Sequence, residues 1–591
     1  MCGIFGYIGH QKQAQKIVLE GLKSLEYRGY DSWGVAVVPG DKNQEIVIKK
    51  RVGKIGKANV DDLPNGTLSL GHTRWATHGG VTENNAHPHM DCTHGVAVVH
   101  NGIVENYEEI KQELLDKGHK FASQTDTEVI VHLIEEYAKK LSFSEAVRAT
   151  YLRLKGLSAF VAINTKERVM VAVRNGSPLV LGYGKSENFI SSDPAGLIPH
   201  TREVYYLEDG EMAEVRDDKV KVFEVKSKKP ITPVRQHLTW DIESAERGKF
   251  DHFMLKEIYE QARVLRDIGL NTSKYLERVA GLLKEADLIY LVGCGSSAFE
   301  AQVGSYLLAM IAGVRANVVV GSEFSSELQF LTPKSVVIAL SQSGETMDLL
   351  EPLKVAKAKG ARIVAIVNVL GSSLYRLADE KILLGVGPEK AVASTKAFVG
   401  MVAQLILLAH TASLSLLEGK QLVEKASKAV AQVLLPKSIT KIRRLAKLLT
   451  THEHLYVVGR GVSYPTALET ALKVKEVSYI HAEAISGGEL KHGALALITQ
   501  GTPFIVYLPN DETYQAMLSG AMEMKARGGY MIAVSYKPLP IFDEYIEIPD
   551  IGVASVIPAI VFAQLLSYYL AITKKLDPDM PRNLAKSVTV K

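Results

Sequence analysis

Residues 290–297 read YLVGCGSS, and nearly the same phrase returns at 456–463 as YVVGRGVS. The fuller first form, DLIYLVGCGSSAFEAQ (287–302), is an apolar run of strand length, a glycine and serine turn, and a helix-forming stretch. That alternation continues in SVVIALSQSGETMDLLEPLKVAKAKG and ARIVAIVNVLGSS, and it implies parallel βαβ units, because parallel strands need a long crossover between them. GARIVAIV (360–367) likewise matches GGYMIAVS (528–535), so the spacing between copies is about 166–168 residues. The expectation is two copies of one doubly wound α/β domain, at 251–435 and 436–580, followed by a tail at 581–591.

The copies differ at one turn. After its second strand the first copy has LSQSGET, whereas the second has LPNDET. Ser341, Gln342, Ser343 and Thr346 stand where a strand ends and a helix begins. A helix N-terminus offers unpaired N–H groups and a positive dipole end, so hydroxyls there suit a phosphate; the same residues also make ordinary helix caps. Ser296 and Ser297 put a second hydroxyl turn at the same carboxyl edge, where open α/β sheets bind ligands, and this favours a phosphorylated small molecule. GCGSSAF matches neither the dinucleotide fingerprint nor the GxxxxGK[ST] loop, which disfavours a nucleotide.

Residues 1–225 have a different texture. Short β-like runs, WGVAVV, HGVAVVH, LSAFVAI and VMVAVR, alternate with a few helical stretches, which predicts an α+β domain on antiparallel sheets. The charged, proline-bearing stretch 226–250 reads as a linker. The 591 residues call for two to four domains, and 69 basic against 65 acidic residues leave no strong charge field, so neither nucleic acid nor an anionic membrane is expected as a partner. Three scattered cysteines without a CxxC argue for a reducing compartment, and the absence of a signal-like start makes the cytoplasm the expected location. Two uncharged runs, 397–417 and 551–573, have transmembrane length, but His410, Thr411, Pro558 and Gln564 within them point to helices buried in a core or a subunit interface.

The chain begins MCGIFGYIG. If Met1 is removed, Cys2 gains a free α-amino group of pKa about 7.7–8.0, a base suited to activating its own thiol. An unprocessed small residue at the start of a strand is the alternative. Three further stretches favour the nucleophile: GHTRWATHG (71–79), HNGIVENY (100–107) and SQTDTEVI (123–130). An arginine can grip a carboxylate, an aspartate an ammonium, and an asparagine amide beside a glycine N–H an oxyanion, which together suit a free amino acid bearing a carboxamide.

CGIFGYIG, LEYRGYDSWG, HTRWATHG, ENNAHPH, HNGIVENY and TDTEVI, in this order, resemble the class II glutamine amidotransferases. The two later repeats resemble sugar isomerase (SIS) domains. With SQSGET, ASTKAF, ALKVKEVSYIHAEA, GGELKHG and PRNLAKSVTV, the whole chain is similar to the family of isomerising glutamine:fructose-6-phosphate aminotransferases. The resemblance implies an N-terminal-nucleophile (αββα) glutaminase domain ahead of the SIS pair, ammonia passed internally from glutamine to fructose 6-phosphate, glucosamine 6-phosphate as product at the entry to hexosamine synthesis, and a homodimer.

It implies Cys2 as nucleophile, Asn101 and Gly102 as oxyanion donors, and Arg74 and Asp126 on the glutamine carboxylate and ammonium. Thr77, His78, Arg28 and Gly29 would line that pocket, and Trp75 would gate the ammonia path. Ser341, Gln342, Ser343 and Thr346 would hold the sugar phosphate, with Ser296, Ser297 and Ser394 near the sugar. Lys586 would form a Schiff base, His492 open the ring, and Glu476 shift the proton with Lys473 assisting; on a helix, Lys473 and Glu476 would share a face. The sequence departs from the family in SSELQFL after GSEF, in KHGALAL, and at Lys591. His87, His89, Cys92 and His94 fit no standard zinc spacing, and the resemblance implies neither metal nor cofactor. Remaining alternatives are another keto-sugar phosphate as acceptor, or a sugar-phosphate sensor without turnover. The loops needed for phosphoribosylamine or asparagine synthesis are absent from the sequence.

Overall fold

The computed structural model describes residues 2–40, 45–238, 247–271 and 275–589. The chain divides into two compact units, 1–246 with 585–591, and 247–584.

The first unit is built on two antiparallel sheets, of eight and seven strands. The strand Gly3–Gly9 lies inside the larger sheet, between Glu187–Ser191 and Gly66–Arg74. Because side chains alternate along a strand, GIFGYIG serves two cores at once. Ile4 and Ile8 join Ala97, Val99, Val161 and Ile163 between the sheets, while Phe5 and Tyr7 pack outward with Val18 and Leu22 of the helix Ala14–Leu25. The smaller sheet is covered likewise: Val98, Phe160 and Ala162 meet Ile130, Leu133 and Ile134 of the helix Glu128–Ala138. Helix, two sheets and helices therefore stack as an αββα sandwich.

The stretch read as a linker, 226–250, departs from that expectation at its start. Pro230–Ile231 and Gln236–His237 form short outer strands on the two sheets. An edge position tolerates Pro230, whose missing N–H is not needed there. Residues 239–246 of that stretch lie outside the described residues.

The second unit carries two five-stranded parallel sheets. In the first, Ile289–Gly293 lies between Asn317–Val320 and Val336–Ser341, followed by Arg362–Val367 and Glu380–Leu383. In the second, His454–Gly459 lies between His481–Ser486 and Pro503–Leu508, followed by Tyr530–Ser535 and Glu544–Glu547. The repeated phrases thus occupy the same two places in each sheet. Strand order reverses beside the first strand of each, which opens a crevice at the carboxyl edge.

The two long apolar runs are core helices, Lys396–Ala412 and Val556–Thr573. Gly552–Thr573 is long and apolar enough to cross a membrane, with mean hydropathy 1.8, but 89% of it is buried inside the unit. Its Gln564 is fully enclosed and satisfied by protein: it accepts from Gln261 Nε2 at 2.7 Å and donates to the Thr395 carbonyl at 3.1 Å.

The first sandwich has a close helix–strand approach at Gly21, where an added Cβ would stand 2.5 Å from the Phe5 ring. Gly21→Ala is expected to destabilise the protein by about 1–3 kcal/mol through overpacking, seen as a lower urea midpoint at unchanged slope. An unchanged midpoint would refute this account of the packing.

Candidate active sites

In the first unit, strand register brings the chain start to the pocket. Gly3 pairs with Thr73, so Cys2 falls beside the segment that follows Arg74. The Trp75 N–H donates to Cys2 Sγ at 3.3 Å, and Asn101 Nδ2 donates to the Cys2 carbonyl at 3.1 Å. His72 Nε2 faces two acceptors, Asn101 Oδ1 at 3.1 Å and the His100 carbonyl at 3.2 Å, so it carries the proton and holds the Asn101 amide with its NH2 toward Cys2. Gly102 has φ +140°, and a Cβ there would sit 2.0 Å from the Leu157 carbonyl oxygen, so no other residue fits.

Cys2, Arg74, Trp75, Thr77, His78, Asn101, Gly102 and Asp126 line one cavity of about 30 Å³. That is room for about two waters. The Arg74 guanidinium donates to the carbonyls of His78, Gly79 and Gly80. Asp126 Oδ2 accepts from the Val104 N–H at 2.7 Å. Arg28 does not line the cavity: it donates to the Cys2 carbonyl at 3.4 Å and to Asp193 at 2.7 Å, anchoring the Cys2 backbone. Gly29 is likewise outside the lining, with its N–H on the Glu26 carbonyl.

The sequence reading missed several wall residues, His87, His100, Thr125, Thr127 and Thr589. Thr589 belongs to the tail segment that groups with this unit, and its hydroxyl accepts from Ser177 Oγ at 3.2 Å. Lys586 lies in the same segment.

Burial raises the Cys2 thiol above its usual range, although the Trp75 N–H and the charges of Arg74 and Arg28 pull it down. At neutral pH the thiol keeps its proton, so attack requires a base. Burial also depresses the surrounding imidazoles, His72 to about 3, and His87, His89 and His100 in the same direction.

In the second unit, Val336–Ser341 runs into the serine turn ahead of the helix Met347–Ala358. Thr346, the residue before that helix, makes no side-chain cap; its hydroxyl lies 3.3 Å from Ser341 Oγ. The Gly344 N–H donates to Ser341 Oγ and the Glu345 N–H to Ser343 Oγ, while the Gln342 carbonyl accepts from Asn368 N–H. The hydroxyls therefore organise the turn rather than serve only as a helix cap. In the corresponding turn of the second sheet, Asp511 accepts from the N–H and hydroxyl of Thr513, at 2.8 and 2.6 Å. A carboxylate there repels phosphate.

Ser296 and Ser297 open the helix Ser296–Ala312, and Ser296 Oγ donates to Glu469 at 3.2 Å. Glu469, Lys473 and Glu476 share one face of the helix Ser463–Ser478, with Lys473 Nζ 3.4 Å from Glu469 and bonded to Glu476. Lys473 is 1% exposed, so the pair is not a surface ion pair. Burial works against the Lys473 charge, but Glu469 and Glu476 hold its pKa up. Burial pushes Glu469 up to about 7, and Glu300 upward too, with Glu469 adding repulsion. Glu469 is four residues before Lys473, a helical spacing that would have found it. Ser394 is half-buried just before Lys396–Ala412, and His492 is exposed in the short turn Glu489–His492.

Comparison with known proteins bears on the domains that carry these sites. Residues 72–198 match the family model described as a glutamine amidotransferase domain, and residues 282–411 and 448–572 match the SIS domain. The glutamine–fructose-6-phosphate aminotransferase (isomerizing) of Pyrococcus horikoshii is 44% identical and that of Clostridium perfringens 40%, each over 100% of both chains. The solved C-terminal domain of glucosamine-fructose-6-phosphate aminotransferase from Francisella tularensis is similar with TM-score 0.52 and 32% identity, covering 56% of this chain and 99% of that one.

The buried histidines predict acid lability. Where the folded pKa lies below the unfolded value, the unfolded chain binds more protons, so stability rises with pH between about 3 and 6.5 and is lost as pH falls through that window. The slope is about 1.4 kcal/mol per pH unit for each such group. Glu128 and Glu135, held at about 2, lose their contribution only below 4.5. Glu469, pushed up to about 7, and Glu300 act in the opposite sense between pH 7 and 4.5, so the histidine part is read site by site: by NMR the His72 imidazole should stay neutral down to pH 4.5, and protonation of it near pH 6.5 would contradict a neutral buried ring.

Proposed function

The chain belongs to the glutamine–fructose-6-phosphate aminotransferase (isomerizing) family, and from that premise we propose that it converts D-fructose 6-phosphate and L-glutamine to D-glucosamine 6-phosphate and L-glutamate by the residue roles that follow. The observation that carries the reading is the pairing of Cys2 Sγ with the Trp75 N–H, beside an Asn101 amide that His72 orients toward Cys2.

Cys2, made the first residue by loss of Met1, uses its own α-amino group as base; Met1 itself lies outside the described residues. The amine takes the thiol proton and the thiolate attacks the carboxamide carbon of glutamine. Asn101 Nδ2, which gives one N–H to the Cys2 carbonyl and has a second to offer, and the Gly102 N–H stabilise the resulting oxyanion. The protonated amine returns its proton to the leaving nitrogen, the C–N bond breaks and ammonia departs. Water then cleaves the thioester to glutamate. Arg74 holds the substrate carboxylate in place of its present carbonyl partners, Asp126 the ammonium, and Thr77 and His78 the remaining wall. Arg28 and Gly29 support the nucleophile from outside the cavity.

Ammonia adds to a carbonyl only while unprotonated, so it must bypass bulk water, and Trp75, whose N–H meets Cys2 Sγ, gates its exit. At the sugar site, Ser341, Gln342, Ser343 and Thr346 hold the phosphate, with Ser296, Ser297 and Ser394 around the sugar. His492 assists ring opening. Lys586 attacks the C2 carbonyl and water leaves, giving a Schiff base; ammonia then displaces the lysine amine. Glu476 removes a proton from C1 and returns it to C2, leaving an amine at C2 and an aldehyde at C1, while Lys473 keeps Glu476 oriented. The domain limits 251–435 and 436–580, a first domain that runs past 225 to include the strands at 230–237, the tail 581–591, the cytoplasm and a homodimer complete the proposal.

Cys2→Ala is expected to lower glutamine-driven synthesis at least about 10³-fold while synthesis from added ammonium persists. Undiminished glutamine-driven synthesis would refute the nucleophile. Lys586→Ala is expected to abolish synthesis from either nitrogen source while glutamate release continues, and to remove the lysine adduct that borohydride traps with fructose 6-phosphate. An adduct surviving in the variant would overturn that role. In a panel of sugar phosphates, amino sugar formed from another ketose phosphate but not from fructose 6-phosphate would reassign the acceptor.

A further inference from the structure

Outside both sites, four side chains of the first unit converge with metal-ligand chemistry. Cys92, His119, His132 and Glu135 place one donor atom each within 4.8 Å of one another. They come from separate parts of the chain: the turn after the strand His89–Met90, the segment after the helix Tyr107–Asp116, and the face of Glu128–Ala138. Only Cys92 belongs to the histidine-rich stretch 87–94. That stretch is split by the fold: His87 stacks on His72 at 4.2 Å, His89 meets Thr125, and His94 meets Glu45.

Four of the six separations are near the edges of a tetrahedral site. Cys92 Sγ lies 3.8 Å from His119 Nδ1 and 3.7 Å from His132 Nδ1, and Glu135 Oε2 lies 3.1 and 3.2 Å from the same two nitrogens. Zinc–ligand bonds of about 2.0–2.3 Å imply tetrahedral edges of about 3.3 Å between N and O and about 3.5 Å between S and N. The outer contacts also match. His119 Nε2 faces Glu136 at 3.2 Å, His132 Nε2 faces Glu128 at 3.7 Å, and the Lys120 N–H donates to Cys92 Sγ at 3.5 Å. Both rings turn Nδ1 to the shared centre; His119 Nε2 is bonded to a carboxylate, the arrangement by which metal-bound histidines are oriented, while His132 Nε2 faces Glu128 from beyond hydrogen-bond distance. The two rings are 3% and 1% exposed.

We propose that Cys92, His119, His132 and Glu135 form a structural site for a thiophilic divalent cation of the zinc class. One thiolate and one carboxylate neutralise the ion, two imidazoles complete four-coordination, and no position is left open, which fits a structural rather than a catalytic role. The ion would tie Glu128–Ala138 to two loops, and Thr125, Asp126 and Thr127 of the glutamine cavity immediately precede that helix. The competing arrangement, imidazolium rings held by carboxylates alone, is the other outcome of the test.

The full chain, without a histidine tag and carrying Cys2→Ala to remove the other thiol of this unit, is loaded with Zn²⁺, desalted and assayed by elemental mass spectrometry. About one zinc per chain is expected, falling at least about tenfold on adding Cys92→Ala. His119→Asn serves as a second variant, with circular dichroism to verify folding. Co²⁺ in place of zinc should give tetrahedral visible bands and a thiolate charge-transfer band that Cys92→Ala removes. Absence of retained zinc in the Cys2→Ala chain, or equal retention in folded Cys92→Ala and His119→Asn chains, overturns the proposal.

Discussion

The chemistry of the first unit depends on the register of one strand. Gly3–Gly9 is paired on both sides and buried on both faces, with Gly3 opposite Thr73 and Phe5 opposite Ser191. A slip of one residue would send Ile4 and Ile8 into the helix-facing core and Phe5 and Tyr7 between the sheets, exchanging two sets of unlike volume. The packing therefore permits one register, and that register delivers Cys2 to the Trp75 N–H. Asn101 and Gly102 end a strand of the facing sheet, so the sheet-to-sheet packing of Ile4 and Ile8 against Ala97 and Val99 brings the Asn101 amide, Gly102 and the thiol to one rim. The site is an edge effect of a core that tolerates no shift.

The histidines around that rim have a consistent electrostatic meaning. A buried imidazole held neutral still orients neighbours through one N–H and one lone pair, without adding charge beside a thiol that must ionise. His72 uses its N–H on Asn101 and leaves the positive charge to Arg74, which donates to the carbonyls of His78, Gly79 and Gly80. Polar order and low charge are thereby combined in a closed cavity.

In the second unit the duplication supplies the same scaffold twice, and the turns distinguish the copies. The first sheet ends in hydroxyls and backbone N–H groups, while the second ends in a carboxylate that consumes its own donors. What the second copy contributes instead is the helix with Glu469, Lys473 and Glu476, one lysine serving two acids. A buried lysine stripped of both would be untenable, and either acid alone would lose its counter-charge, so the three are stable only together.

The doubling of the α/β domain, the antiparallel texture of the first 225 residues, the leading cysteine and the serine turn were all legible in the sequence, because each is written in neighbouring residues: a period, a turn, a first position. Helical spacing placed Lys473 with Glu476, and would equally have supplied Glu469. The contacts of Ser296 with Glu469, His72 with Asn101, Ser177 with Thr589, and Cys92 with His119, His132 and Glu135 join residues 27 to 412 positions apart. Only the tertiary structure decided these. Which distant side chains meet depends on strand register, on how sheets and helices stack, and on which edges remain open, as at 230–237, where the sheets' outer strands occupy what composition alone reads as a linker. Local periodicity carries no record of those pairings, since they are selected by the packing of the whole core.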